Sequence, residues 1–207
     1  MLVRVAQQAV KREYAKYDES GGSAGFPERD KLMTVGEGEA ETFEVVPVPA
    51  KIKEMIATFD EYILRVPVEA EPDLEKKNHD RFAYLAGEIP FFYGQFKQSR
   101  ARLQPIYVTQ CGKTKYGYLA WEKLLTMANQ ENDFEESRRL AEASKKKSCA
   151  ISDAEKQKEV GLRDPTLQRG FYQEAAAAYT KAENMQDGPE RDKTWRKAAE
   201  LYEEALR

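Results

Sequence analysis

A chain of 207 residues is long enough to bury a core and to form one or two domains. Its 33 Lys+Arg against 36 Asp+Glu leave a net charge of −3, without the basic excess of a general nucleic-acid binder or the acidic block of a solvating tail. No run of about 18 apolar residues occurs, so no membrane-spanning helix is expected. The N-terminal stretch also lacks the continuous apolar core of a signal peptide, and the compartment is left open between cytoplasm and periplasm.

Leu2, Val5, Ala6, Ala9, Val10, Tyr14 and Tyr17 recur at i, i+3 and i+4, which predicts an amphipathic helix over 2–17. Residues 18–49 differ: Gly21, Gly22, Gly25, Pro27, Gly36, Gly38, Pro47 and Pro49 surround an acidic stretch at 37–44. They read as a linker with one short extended piece at 43–48. So long a connection is unusual inside a compact domain, which makes 1–49 an N-terminal helix plus Gly/Pro-rich linker, docking elsewhere, ahead of a helical domain over 50–207. There, Ile52, Met55, Ile56, Phe59, Ile63 and Val66 form an apolar stripe that stops at Pro67. Asp73 is the expected N-cap of the next helix, without a capping box because Lys76 stands at its third position. Pro90 is expected to bend or break that helix.

Self-comparison exposes a repeat. Gly94-Gln95-Phe96-Lys97-Gln98-Ser99 recurs as Asn132-Asp133-Phe134-Glu135-Glu136-Ser137 and again as Gly170-Phe171-Tyr172-Gln173-Glu174-Ala175, at spacings of 38 and 38 residues. Each copy has a turn residue, an aromatic two positions on and a small residue five positions on. Apolar or small residues follow: Leu103 and Ile106, Ala141 and Ser144, Tyr179 and Ala182. Trp195, Ala198, Tyr202 and Ala205 repeat the second half of the scheme. The physical meaning is a tight helix–turn–helix in which the small residue lets two helices approach closely.

This pattern resembles tetratricopeptide repeats, whose period is about 34 residues. Gly87, Trp121 and Leu124 fall where that family prefers Gly, Trp and Leu, and the resemblance covers roughly 73–207. It departs at Ala83, Ala86 and Pro90, and the third copy lacks a convincing first helix because Gly161, Asp164 and Pro165 interrupt it. The resemblance implies an all-α, right-handed helical-repeat solenoid with a concave groove for a peptide or helix of a partner protein. It places Arg81, Tyr84, Glu88 and Phe91 on the groove face of one repeat, and Glu122, Thr126, Asn129 and Gln130 on that of the next. Tyr84 and Glu88 stand where chaperone-binding members carry a carboxylate clamp, so that use is not expected. The long inserts are more similar to the irregular repeats of large bacterial envelope and motility scaffolds.

Little in the chain suggests chemistry. Gly112-Lys113-Thr114 ends like a phosphate loop, but Tyr107 stands where that motif needs glycine, and a turn between repeats is the simpler reading. Cys111 and Cys149 fall at equivalent places just past the second helix of consecutive repeats. Equivalent loops of stacked helix pairs sit about 10 Å apart, whereas a disulfide needs Cα atoms within about 7 Å. A bridge formed by bending loops and two half-buried thiols both remain open. His79 is the one histidine, expected on the polar face of its helix, so triads and histidine metal sites are not expected. Lys145, Lys146 and Lys147 suit a helix C-terminus.

The 11 tyrosines and nine phenylalanines are mostly at seam spacing, with others left to anchor a partner. The expected function is a non-catalytic protein-interaction scaffold with no cofactor and no metal. A self-associating helical protein and a regulatory domain of an enzyme are the alternatives. The sequence stops inside an amphipathic helix without a polar cap, so its open end is expected to meet a further repeat or another subunit.

Overall fold

The computed structural model describes residues 45, 47–66 and 72–206, without the side chains of residues 51 and 72–77. The helix expected over 2–17 and almost all of the expected linker lie outside the described residues. The described residues are all-helical: α1 (Ala50–Arg65), α2 (Pro72–Phe92), α3 (Phe96–Gln110), α4 (Lys115–Gln130), α5 (Phe134–Lys146), α6 (Asp153–Glu183) and α7 (Pro189–Ala205). They fall into two compact units divided between Thr109 and Gln110.

In the first unit, Met55, Phe59, Tyr62 and Val66 recur at i, i+4, i+7 and i+11 along and just past α1. They meet Phe82, Ala86, Ile89 and Tyr93 from α2 and the residue after it. Phe59 stacks on Phe82 with ring centroids 5.0 Å apart, and Tyr62 meets the same ring edge-on at 4.9 Å. The stripe expected on α1 is therefore the buried one, with Tyr62 added to it. His79 is half-buried with its ring edge-on to Tyr62, so it belongs to the margin of this core rather than to a solvated face.

α2 starts at Pro72, which puts Asp73 inside the first turn instead of at the cap. Pro90 does not break α2; it sits in the last turn, and its carbonyl accepts the Gln95 amide at 2.9 Å in the reversal that follows. Gly94 takes φ +67°, a left-handed conformation that glycine adopts without steric cost. α3 then returns along α2, with the Ser99 hydroxyl donating to the Gly87 carbonyl at 2.7 Å. A Cβ at Gly87 would lie 2.6 Å from Leu103 Cδ2, so glycine there permits the close approach. Arg102 on α3 grips Asp60 on α1 through both nitrogens at 2.8 Å.

In the second unit, Thr114 caps α4 by accepting from the Gly117 amide, which makes Gly112-Lys113-Thr114 a turn and cap. Asn132 takes φ +54° at the reversal between α4 and α5, and Asp133 caps α5 through the Glu136 amide at 3.1 Å. Glu135 and Glu136 in the first turn of α5, with Lys145 and Lys146 in the last, complement its dipole. The Trp121 indole of α4 donates to the Leu140 carbonyl of α5 at 3.0 Å.

The first two copies of the repeat are thus true reversals, with α3 and α5 starting at Phe96 and Phe134 and the small residues Ser99 and Ser137 buried. The third copy is not. α6 is one helix of 31 residues that runs through Gly161, Pro165 and Gly170. A capping box between Ser152 and Glu155 starts it. Pro165 is exposed, so the hydrogen bond it cannot make is lost on the side where water replaces it. Gly170 is a packing residue: a Cβ there would lie 3.3 Å from Cβ of Arg138 on α5. α7 then packs along the second half of α6 through small residues, with Ala175, Ala182, Ala198 and Ala205 all buried.

Candidate interaction surface

Of the eight residues expected to line a groove, four belong to the first unit, and two of those are buried in it. Phe91 is 0% and Tyr84 5% exposed, which corrects their placement on an open face. Phe91 stacks on Phe96 at 5.4 Å, because α2 buries more than one of its faces. The Tyr84 hydroxyl donates to Glu88 at 2.9 Å, and Arg81 and Glu88 are half-buried. The other four belong to the second unit, where α6 engages two of them. Glu122 pairs with Lys158, and the Asn129 amide donates to the Thr166 hydroxyl at 3.3 Å. Thr126 donates to the backbone carbonyl of Glu122 at 2.8 Å, and Gln130 Oε1 is buried.

The open aromatic surface lies elsewhere, on α6 and α7. Tyr172 and Tyr179 are seven residues apart on α6, as are Trp195 and Tyr202 on α7. In each helix these rings stand three residues before the buried alanines, so all four share one flank of the α6–α7 seam. Tyr172 meets Tyr202 edge-on at 5.6 Å, and Tyr179 meets Trp195 edge-on at 4.6 Å. The two pairs are spaced by two helical turns, about 10.5 Å. Tyr172 remains 55% exposed despite its partner. The neighbouring Glu183 carboxylate, which accepts from the Tyr179 hydroxyl, holds that phenol above its ordinary pKa.

Beside the first pair a shallow cleft of 410 Å³ is lined by Pro165, Gln168, Arg169, Tyr172, Tyr202, Ala205 and Leu206. Arg169, at its edge, lies over the Phe134 ring at 5.3 Å and reaches Asn132 at 3.3 Å. A second cleft of 590 Å³ includes Lys145, Arg163, Phe171 and Glu204, which places one lysine of the basic cluster on a concave surface. The sequence contained a signal for the aromatic flank, since the seven-residue spacings are visible there. Periodicity alone makes it a buried seam, because spacing does not reveal that Tyr172 stays exposed among the described residues.

Cys111 and Cys149 are joined in a disulfide with Cα atoms 4.4 Å apart. The turn before α4 and the connection after α5 meet directly, with the Gly112 amide donating to the Cys149 carbonyl at 3.3 Å. The wider spacing expected of stacked loops therefore does not hold. Next to the bridge lies a residue without any sequence signal. Glu159 on α6 is 2% exposed and accepts from the Ser144 hydroxyl, and from the Ser148 hydroxyl and the Ala150 amide at 3.0 Å each. Tyr118 on α4 is also buried, and its hydroxyl has no hydrogen-bond partner among the described residues. Burial, with Glu122, Glu155 and Glu159 nearby, raises its pKa well above the ordinary value.

Among the described residues no group of His, Cys, Asp and Glu is arranged to hold a metal ion, and no helix is long and apolar enough to cross a membrane. No family model, curated protein or solved structure matches the chain.

Proposed function

We propose that this protein is a non-catalytic scaffold that binds a peptide or helix of another protein along the aromatic flank of α6 and α7. The carrying observation is the arrangement of Tyr172, Tyr179, Trp195 and Tyr202 in two edge-on pairs on one side of the seam, with Tyr172 largely open to solvent. Rings already held by a neighbour lose little freedom on binding, and tyrosine and tryptophan supply much of the energy at protein interfaces. A partner helix with apolar residues at i and i+7 would match the spacing of about 10.5 Å. The α2–α3 and α4–α5 hairpins, each with its turn, aromatic and small residue in order, support a relation to tetratricopeptide scaffolds. A role in a bacterial envelope or motility assembly rests on that resemblance alone.

The test is cross-linking mass spectrometry on partners captured by the full chain, compared with a Tyr172→Ser/Tyr202→Ser variant. Support requires cross-links from Lys181 or Lys197 to the captured protein and about tenfold weaker capture by the variant. Equal capture by both chains would remove this surface from consideration. Concentration-dependent assembly lost in the variant, with no other protein bound, would replace the reading with self-association.

A further inference from the structure

The connection between α5 and α6, residues 147–152, joins the helical hydrogen bonding only at its ends, through the Lys147 amide and the Ser152 carbonyl, yet Cys149 is 1% exposed and Ala150 is buried. Besides a backbone tie from Gly112 to Cys149, three attachments hold it down. One is the bridge to Cys111 in the turn before α4. The second is Glu159, which accepts from Ser148 and Ala150. The third is Glu155, which accepts from the Ile151 amide at 2.9 Å and the Ser152 amide at 3.1 Å.

These attachments differ in what opposes their release. A carboxylate taken out of water is tolerated only where donors replace its hydration, and for Glu159 two of those donors belong to the connection itself. Lifting 147–152 would return Glu159, Ser148 and the Ala150 amide to water together, so solvation opposes that movement little. The covalent bridge is what opposes it. The backbone tie beside the bridge, from Gly112 to Cys149, is long at 3.3 Å. At Gly112 the φ of +70° and the approach of the Ser148 carbonyl, 3.0 Å from where a Cβ would stand, leave room only for glycine.

We propose that the Cys111–Cys149 bridge is a redox latch: closed, it keeps residues 147–152 over Glu159, and reduced, it lets that connection open while α4 and the body of α5 stay packed. A dithiol supplies the reduction. Its thiolate attacks Cys111 Sγ, next to the exposed Gly112 and Lys113, and the S–S bond breaks. Cys149 leaves as a thiolate and takes a proton. The second thiol of the reagent then resolves the mixed disulfide, releasing Cys111 as a thiol. The two electrons come from the dithiol, which ends as a cyclic disulfide.

The three lysines at 145–147 border the connection and are exposed, which makes trypsin a local probe. The full chain is digested briefly in three forms: oxidised, reduced by dithiothreitol under native conditions, and as Cys111→Ala/Cys149→Ala. The expected result is that the first cuts within 110–207 fall between Lys145 and Lys158 in both bridge-free forms, about tenfold faster than in the oxidised chain. Unchanged cutting would overturn the latch. So would equally early cuts at Lys123 and Lys197, which would show that the bridge staples the whole unit. A bridge that dithiothreitol opens only in denaturant would likewise exclude a switch. The reduced natural chain keeps the test decisive if the alanine variant folds poorly.

Discussion

The indole of Trp121 donates to the backbone carbonyl of Leu140, 3.0 Å away, and so ties the middle of α4 to the middle of α5. Both residues are fully buried, and the hydrogen bond satisfies the one polar atom of the largest side chain in the unit's core. Replacing Trp121 by Phe removes this bond and leaves unfilled volume. A loss of about 2 kcal/mol is expected. Urea denaturation followed by the fluorescence of Trp195, the remaining tryptophan, measures it. A loss under about 0.5 kcal/mol would mean that the bond contributes nothing beyond the ring.

Glu159 gathers three donors, of which the Ser144 hydroxyl is buried while Ser148 is exposed. Glu159→Ala leaves the buried Ser144 hydroxyl without its acceptor and the Ala150 amide with only Ser148 Oγ at 3.2 Å, at an expected cost of about 2 kcal/mol. Glu159→Gln keeps one acceptor oxygen and the side chain's shape, so it is expected to cost roughly half as much. Denaturation midpoints of the two variants, compared at one pH, check the order. If the alanine variant is the more stable of the two, the network does not work as described.

Tyr118 makes the opposite prediction. Its buried hydroxyl has no described partner, so Tyr118→Phe is expected to be neutral or to stabilise by up to about 1 kcal/mol near neutral pH. The alkaline limb shows the linkage. Because the folded-state pKa is raised, the folded chain keeps this proton while the unfolded chain releases it above about pH 10. The contribution is complete below pH 10 and falls with rising pH above it, at up to about 1.4 kcal/mol per pH unit. Stability measured between about pH 9.5 and 11 is expected to fall less steeply in the Phe variant. Parallel curves would show that the phenol titrates normally.

Gly117 stands where α4 begins, and a Cβ on it would lie 2.2 Å from the Gln110 carbonyl oxygen. Backbone cannot swing aside as a flexible side chain can. Gly117→Ala is therefore expected to destabilise by about 3 kcal/mol or more, against near-neutrality for Gly161→Ala, whose Cβ would meet nothing within 4 Å. Helix propensity alone would favour alanine at both sites. Comparing the two in thermal unfolding separates contact from propensity.

How much was legible beforehand differs from residue to residue. Gly94 and Asn132 mark reversals in the sequence, and both adopt left-handed φ, since few residue types do so readily and they signal a turn wherever the chain is otherwise helical. Gly170 carries the same local signature but lies inside α6. What distinguishes it is Arg138 pressing against it from α5, and that contact is absent from any local window. Pro165 signals an interruption in the sequence because proline removes a helical hydrogen bond. The exposure of its side of α6 makes that loss tolerable, and exposure belongs to the packed structure.

The sequence by itself determined that the described chain is helical, where the α1 stripe lies and which residues start α3 and α5. Those properties depend on neighbours three to seven positions away. The tertiary structure decided which faces are covered. It buried Tyr84 and Phe91, set α6 against Glu122 and Asn129, left the flank of Tyr172 and Tyr202 open, and brought Cys111 to Cys149 with Glu159 beneath their connection. The physical reason is that amphipathic periodicity specifies which side of a helix seeks burial but not what buries it. That depends on contacts between residues far apart in the chain.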